Sequence, residues 1–170
     1  MIPVLSTERL VLRGFEPRDF DAFADFWADA DASAHVGGPA DRFGAWTRLT
    51  SIVGHWTLRG YGLWALEEKA TGDHIGYAGL WNPETWPEPE VGWVVYPRYQ
   101  RRGFAREAAE AALDFAARTL GWSTAISLTL EKNTASRRLA ESLGATLEGI
   151  TRFRGVSAAT YRHDPARFQS

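Results

Sequence analysis

Tyr96-Pro97-Arg98-Tyr99-Gln100-Arg101-Arg102-Gly103-Phe104-Ala105 is the stretch that decides how this chain folds. An apolar run, Glu90 to Tyr96 (EVGWVVY), leads into it, and a helical pattern leaves it. Pro97 ends the strand's hydrogen-bond ladder because it has no N–H. Gly103 opens a helix that the spacing carries to about Leu120, with Phe104, Ala108, Ala111 and Phe115 on one face. A helix start leaves backbone N–H groups without partners and carries partial positive charge. Arg98, Arg101 and Arg102 add full charges, while Gly103 and Ala105 keep bulk away from the backbone. Strand, basic loop and helix together make a site for an anion such as a diphosphate. The competing reading is a glycine that eases a turn and arginines that sit in solvent.

Working outward, Arg9 to Phe15 alternates as a strand. Pro17 then opens a helix with Phe20, Phe23, Ala24 and Trp27 at helical spacing. Asp41 to about Leu58 reads as a second helix, with Phe43, Trp46, Leu49, Val53 and Trp56 as its apolar positions. Leu63 to Glu67 and His74 to Trp81 read as a hairpin around Thr71-Gly72-Asp73. Asn82 to Pro89 is a proline-rich loop. Beyond the central helix come a strand from Thr124 to Leu130, a helix from Asn133 to Leu143 closed by Gly144, and a strand from Ala145 to Thr151. The tail, Phe153 to about Arg162, supplies a last strand. About seven strands and four helices predict an α+β fold: a mixed, mostly antiparallel sheet with helices on both faces, formed as a single domain over 1–170.

Composition narrows the chemistry. The chain has 170 residues, a net charge of −2 and no cysteine. The absent cysteine rules out disulfides, thiolate metal sites and a cysteine nucleophile. The near-neutral charge argues against nucleic acid as partner. His35, His55, His74 and His163 lie far apart and show no metal-ligand spacing, so no metal is expected. Charged residues Glu8, Arg9 and Arg13 interrupt any signal-like core, and no apolar run is long enough for a bilayer, so no membrane is expected and the cytoplasm is the expected compartment. The acidic stretch Asp19, Asp21, Asp25, Asp29 and Asp31 reads as a solvated helix face. Eight tryptophans are many for this length. They serve either core packing or an aromatic-walled pocket, since Trp81, Trp86 and Trp93 cluster around the proline-rich loop.

Gln100-Arg101-Arg102-Gly103-Phe104-Ala105 resembles the Q/R-x-x-G-x-G/A signature of the GNAT N-acetyltransferases, and Val95-Tyr96-Pro97 resembles the V-x-P before it. Thr7 to Arg13 (TERLVLR), Ile75-Gly76 and Glu90-Val91-Gly92-Trp93 are similar to motifs of the RimJ/RimL-type branch. So are Asn133-Thr134-Ala135-Ser136, Leu143-Gly144-Ala145 and Glu148-Gly149, all in order along the whole chain.

The resemblance implies a GNAT fold whose sheet splays between the fourth and fifth predicted strands. It implies acetyl-CoA as co-substrate, with its pyrophosphate on the loop residues Gln100, Arg101, Arg102, Gly103, Phe104, Ala105 and Arg106. The pantetheine arm would lie along Trp93, Val94 and Val95, with a backbone N–H near Val94 polarising the thioester carbonyl. Asn133 would reach the cofactor, or cap the following helix, or both. Ser136 reads as a helix-start hydroxyl within cofactor reach rather than as a catalyst. Glu90 is the candidate base, unless it is an exposed loop carboxylate like Glu88; His74 and His35 are fallbacks. Where many relatives place a tyrosine as acid toward the thiolate, this chain has Ala140.

Without cysteine, the implied route is direct attack by a bound amine in a ternary complex. An amine must be neutral to attack; at pH 7 that costs about 4.6 kcal/mol for a lysine and about 1–1.4 kcal/mol for an α-amine. The acceptor is expected to be a protein N-terminus, a small amine or an amine-bearing antibiotic. The alternative is an acyl-CoA-binding sensor without turnover. Monomer and homodimer both stay open.

Overall fold

The computed structural model describes residues 1–168. Eight strands form one sheet: β1 (Leu5–Ser6), β2 (Leu10–Arg13), β3 (Leu63–Glu68), β4 (His74–Trp81), β5 (Glu90–Val95), β6 (Ala125–Leu130), β7 (Thr146–Phe153) and β8 (Val156–His163). Their spatial order is β1-β2-β3-β4-β5-β6-β8-β7. Every neighbouring pair is antiparallel except β5 and β6. The helices α1 (Phe20–Ala28), α2 (Ala30–Ser33) and α3 (Arg42–Arg59) come before β3; α4 (Phe104–Leu120) links β5 to β6, and α5 (Thr134–Ser142) links β6 to β7. The expected mixed, mostly antiparallel sheet is present, with β1 and α2 as additions. Two residues carry no alternation to read in β1, and α2 is one turn held by Asp29, whose carboxylate accepts from the N–H groups of Asp31 and Ala32. Among the described residues, no helix is long and apolar enough to cross a membrane.

Alternation along β5 divides the core, because successive side chains point to opposite faces. Val91 and Val95 pack with Phe104, Ala108, Ala112 and Phe115 of α4. Val94 packs on the other side with Phe23, Phe26 and Trp27 of α1 and Tyr77 of β4. The strand is thus covered by α4 on one face and by α1 and α3 on the other.

The inward face of α3 differs from the one its spacing predicts. Ala45, Leu49, Ile52, His55 and Trp56 are buried, whereas Phe43 is 78% and Trp46 51% exposed and Val53 is also exposed. Leu49 and Trp56 face inward as the spacing predicts, but Ala45, Ile52 and His55 complete the buried stripe in place of Phe43, Trp46 and Val53. His55 is accepted there because both ring nitrogens have partners, Nδ1 with the Tyr61 carbonyl and Nε2 with the Asn82 N–H.

In the acidic stretch Asp21, Asp25, Asp29 and Asp31 are exposed as expected, but Asp19 is not. Asp19 is 1% exposed and pairs bidentately with Arg13 at 2.7 and 2.9 Å. Burial pushes its carboxyl up, but bonds from Arg13 and the Glu16 N–H win, so it stays below the usual carboxylate range. Arg13 also bonds Glu67, tying β2 to β3 and to the start of α1.

Gly76 shows how tightly β4 and β5 meet. A Cβ at this position would fall 2.1 Å from the Val94 carbonyl oxygen, and its φ of +150° disfavours a side chain. Gly76→Ala is expected to destabilise the fold by about 3 kcal/mol, which calorimetry should read as a Tm loss of roughly 6–12 °C.

Candidate active site

The site begins where β5 and β6 part. These parallel strands share a single bridge, Glu90 with Ile126. The Ile126 N–H donates to the Pro89 carbonyl at 2.9 Å, and Ser127 Oγ donates to the Val91 carbonyl at 2.7 Å. With its proton on Val91, Ser127 accepts from Nε2 of His163 at 2.9 Å. Burial lowers the His163 pKa to about 4, so the ring is neutral at pH 7. Beyond these contacts the strands diverge.

Glu90 fills the vertex. It is 8% exposed; Trp86 Nε1 donates to Oε2 at 2.7 Å and the Leu128 N–H to Oε1 at 3.2 Å. Burial raises its pKa to about 7, against those two bonds, which lower it. Glu88, two residues earlier, goes the other way: its bonds to Arg162 hold it below the usual range. One stretch therefore carries a carboxylate held ionised by an arginine and another poised near neutrality, the difference that sets a base apart from a tether. The ion pair to Arg162 also anchors the proline-rich loop that carries Trp86.

Backbone direction narrows one expectation. The Val91 and Val95 carbonyls point away from β4, the first toward Ser127 and the second toward the side-chain amide of Gln100 at 2.9 Å. The Val94 carbonyl points into β4, against Gly76. Since N–H and C=O of one residue share a side in an extended strand, the Val94 amide faces β4 and not the splay. The Trp93 peptide group lies on the splay side with those of Val91 and Val95. Sequence cannot show this, because it depends on which edge of β5 meets β4.

The loop before α4 divides its arginines. Arg101 has a positive φ of 59° and Gly103 one of 85°. No side chain caps α4 at Gly103, so its first-turn N–H groups from Phe104, Ala105 and Arg106 are free to meet an anion. Arg101 is exposed and makes no ion pair among the described residues. Arg102 is committed: it bonds buried Glu68 at 2.6 Å and lies over the Phe104 ring. Its carbonyl accepts from Arg9, which pairs with Glu107 on α4; Thr7 binds the same carboxylate. The opening motif thus braces the anion loop, a role that its strand-like alternation does not reveal.

A cavity of about 1220 Å³ opens beside the vertex; Val95 and the loop from Gln100 to Arg106 are not on its wall. Its wall includes Glu90, Trp93, Val94, Asn133 and Ser136, together with Trp81 and Trp86. The aromatic cluster read from the sequence is therefore pocket wall. Asn133 caps α5, its Oδ1 accepting from the Ser136 N–H and its Nδ2 donating to Ser136 Oγ, while both residues stay on the wall. Ala140 is fully buried against Tyr161, away from the wall. His74 packs against Phe15 and Tyr96 outside the cavity, whereas His35 is on its wall. Trp86 as a donor to Glu90, and Ser127 with His163 at the vertex, were not found from sequence; their spacing carries no signal.

Residues 9–146 match the family model of the acetyltransferase (GNAT) domain. The chain belongs to the GNAT acetyltransferase family, and it is an acyl-CoA-dependent acetyltransferase. It is similar to YkkB of Bacillus subtilis (strain 168), 32% identical over 148 residues that cover 82% of this chain and 83% of that protein. The crystal structure of an acetyltransferase from Agrobacterium tumefaciens str. C58 aligns with a TM-score of 0.88 at 36% identity, over 96% of this chain and 95% of that one. RimL, a ribosomal L7/L12 alpha-N-protein acetyltransferase solved with coenzyme A, shares the fold at a TM-score of 0.78 and 15% identity, over 95% and 98% of the two chains.

Two outcomes are expected. Trp86→Phe removes a bond that favours the Glu90 carboxylate, so the carboxyl pKa rises and the acid limb of kcat/KM moves up by about one pH unit; an unmoved limb, with the same acceptor in both enzymes, contradicts this. Arg101→Ala is expected to raise the KM for acetyl-CoA about 10-fold with little change in Tm, whereas Arg102→Ala lowers Tm as well. Melting curves and initial rates separate the two.

Proposed function

We propose that this protein transfers the acetyl group of acetyl-CoA to a primary amine bound in the cavity, with Glu90 as the base. The acceptor is a protein N-terminus, as the name of RimL specifies for that enzyme, a small amine or an amine-bearing antibiotic. The observation that carries the reading is the buried Glu90 carboxyl, near pKa 7, opening on the cavity at the point where β5 and β6 part.

The residues present suit the co-substrate. The uncapped start of α4 and Arg101 would take the pyrophosphate, with Gly103 and Ala105 leaving its approach clear. Arg102 and Gln100 act from behind, by fixing the loop. The Trp93 carbonyl and the Val95 N–H would pair with the pantetheine amides, which leaves the Trp93 N–H for the polarising role expected near Val94. Asn133 and Ser136 would line the opposite wall. Acetyl-CoA supplies the thioester: the amine nitrogen bonds to the acetyl carbon, the carbon–sulfur bond breaks, the amine proton passes to Glu90, and the sulfur leaves with the bonding pair. A thiol with a pKa of about 8.5 leaves readily, so the absence of an acid at Ala140 is tolerable.

The test is acceptor-dependent release of CoA thiol, followed with a thiol reagent in a protein that adds no thiol of its own. Glu90→Gln is expected to lower kcat about 10²–10³-fold and to remove the rise near pH 7. Its affinity for acetyl-CoA should stay within roughly twofold, because the wild-type carboxylate is not part of the anion loop. A variant as fast as wild type across pH would remove Glu90 as base, and binding of acetyl-CoA without turnover of any amine would favour a sensor.

A further inference from the structure

The cavity has a floor of cross-strand pairs on one face of β4 and β5: Tyr77 with Val94, Gly79 with Gly92, and Trp81 with Glu90. The middle pair has no side chains; at Gly79 the Gly62 carbonyl and the Trp64 ring already fill the space a Cβ would take, so the slot between two ends of different character lies over Gly92. At Gly92 even a methyl group would come 3.8 Å from Glu90 Oε1, which shows how close the slot runs to that carboxylate. One end holds Glu90. The other holds Tyr77, and over it lie Trp27 of α1 and Arg48 of α3, both also on the cavity wall.

This second end is rich in donors, and no carboxylate of the cavity wall pairs with them. Arg48 lies over the Trp27 ring at 4.4 Å and reaches only two backbone carbonyls, Gly44 and Gly37, each at 3.3 Å. No carboxylate among the described residues pairs with it. Arg59, elsewhere on the wall, stands 3.7 Å from Glu84, and Arg154 stacks on Trp86 and Phe153 at the rim. Trp27 Nε1 is buried without a partner, and the Tyr77 hydroxyl makes no hydrogen bond among the described residues. Burial pushes the Tyr77 phenol well above its ordinary range, so it stays a donor at any working pH. Buried donors around an unpaired guanidinium call for a ligand with several lone pairs and negative charge.

We infer that the acceptor is a small amine that also carries a carboxylate or similar oxyanion, the oxyanion held by Arg48, Tyr77 and Trp27 and the amine turned toward Glu90. The inference rests on the acetyltransferase reading of this cavity. It disfavours a peptide N-terminus, which would set a neutral amide against Arg48.

The experiment compares matched acceptors: the L-amino acids, β-alanine and 2-aminoethylphosphonate, each against an uncharged counterpart such as the carboxamide. CoA release reads turnover, and calorimetry reads binding of each acid to the enzyme–CoA complex. Wild type is expected to favour at least one acid over its counterpart by roughly 10- to 100-fold in kcat/KM. Arg48→Gln should erase that preference by raising the KM of the acid, Arg48→Lys should keep part of it, and acetyl-CoA affinity and Tm should report that the variants are folded. Equal use of acids and counterparts by wild type, or a preference that survives Arg48→Gln, overturns the inference and leaves the acetyltransferase reading standing. Failure of that reading looks different: acetyl-CoA binds and nothing turns over. Calorimetry then still decides, since an acid that binds wild type but not Arg48→Gln supports the oxyanion end, and no acid binding at all overturns it.

Discussion

Two parallel strands that meet at one bridge set the terms for the rest of this molecule. β5 and β6 share one backbone bridge, Glu90 with Ile126, so their edges beyond that point have backbone groups without a strand partner. Unpaired backbone is costly when buried, and the chain meets the cost with side chains. Ser127 reaches the Val91 carbonyl, Gln100 the Val95 carbonyl, and the Glu90 carboxylate takes the Leu128 N–H. The peptide group of Trp93 is left without such a partner, which is where the proposed pantetheine arm would pair.

The same arrangement produces the chemistry. A carboxylate used to close the vertex is necessarily buried, and burial raises its pKa toward neutrality. The proposed base is thus a by-product of how the splay is sealed. Trp86 and the Leu128 N–H stop the shift from going further, so the group titrates where a base for an amine is useful. The anion loop is set by a parallel device: Arg9, Glu107, Arg102 and Glu68 form a chain of charges behind it. That chain fixes the loop without occupying the uncapped helix start.

Much of this was legible in the sequence. The change from period two to period 3.6 at Tyr96–Gly103 located the strand, the loop and α4, and the hairpin spacing gave β3 and β4. Glu90 was legible as a candidate because it opens an apolar strand beside a proline-rich loop. What escaped depended on facts in three dimensions. The inward face of α3 was legible only at Leu49 and Trp56, because Phe43, Trp46 and Val53 compete for it and Ala45 and His55 look unlike core, though His55 has both ring nitrogens satisfied. Which amide near Val94 faces the splay was hidden because alternation gives side-chain faces but not which strand edge is already paired. Arg101 and Arg102 read alike, yet only the structure brings Glu68 to one of them. Asp19 read as solvated because Arg13, its partner, lies on a different element.

The central claim is that the Glu90 carboxyl changes its charge near neutrality within the folded protein. A direct titration of that carboxyl carbon by NMR, with Glu90→Gln used to assign the signal, measures it without any need to know the acceptor. The account predicts a midpoint at about pH 7. A midpoint near the ordinary glutamate value of about 4.3 would show a carboxylate already ionised at working pH, and would contradict the view that sealing the splay creates the base.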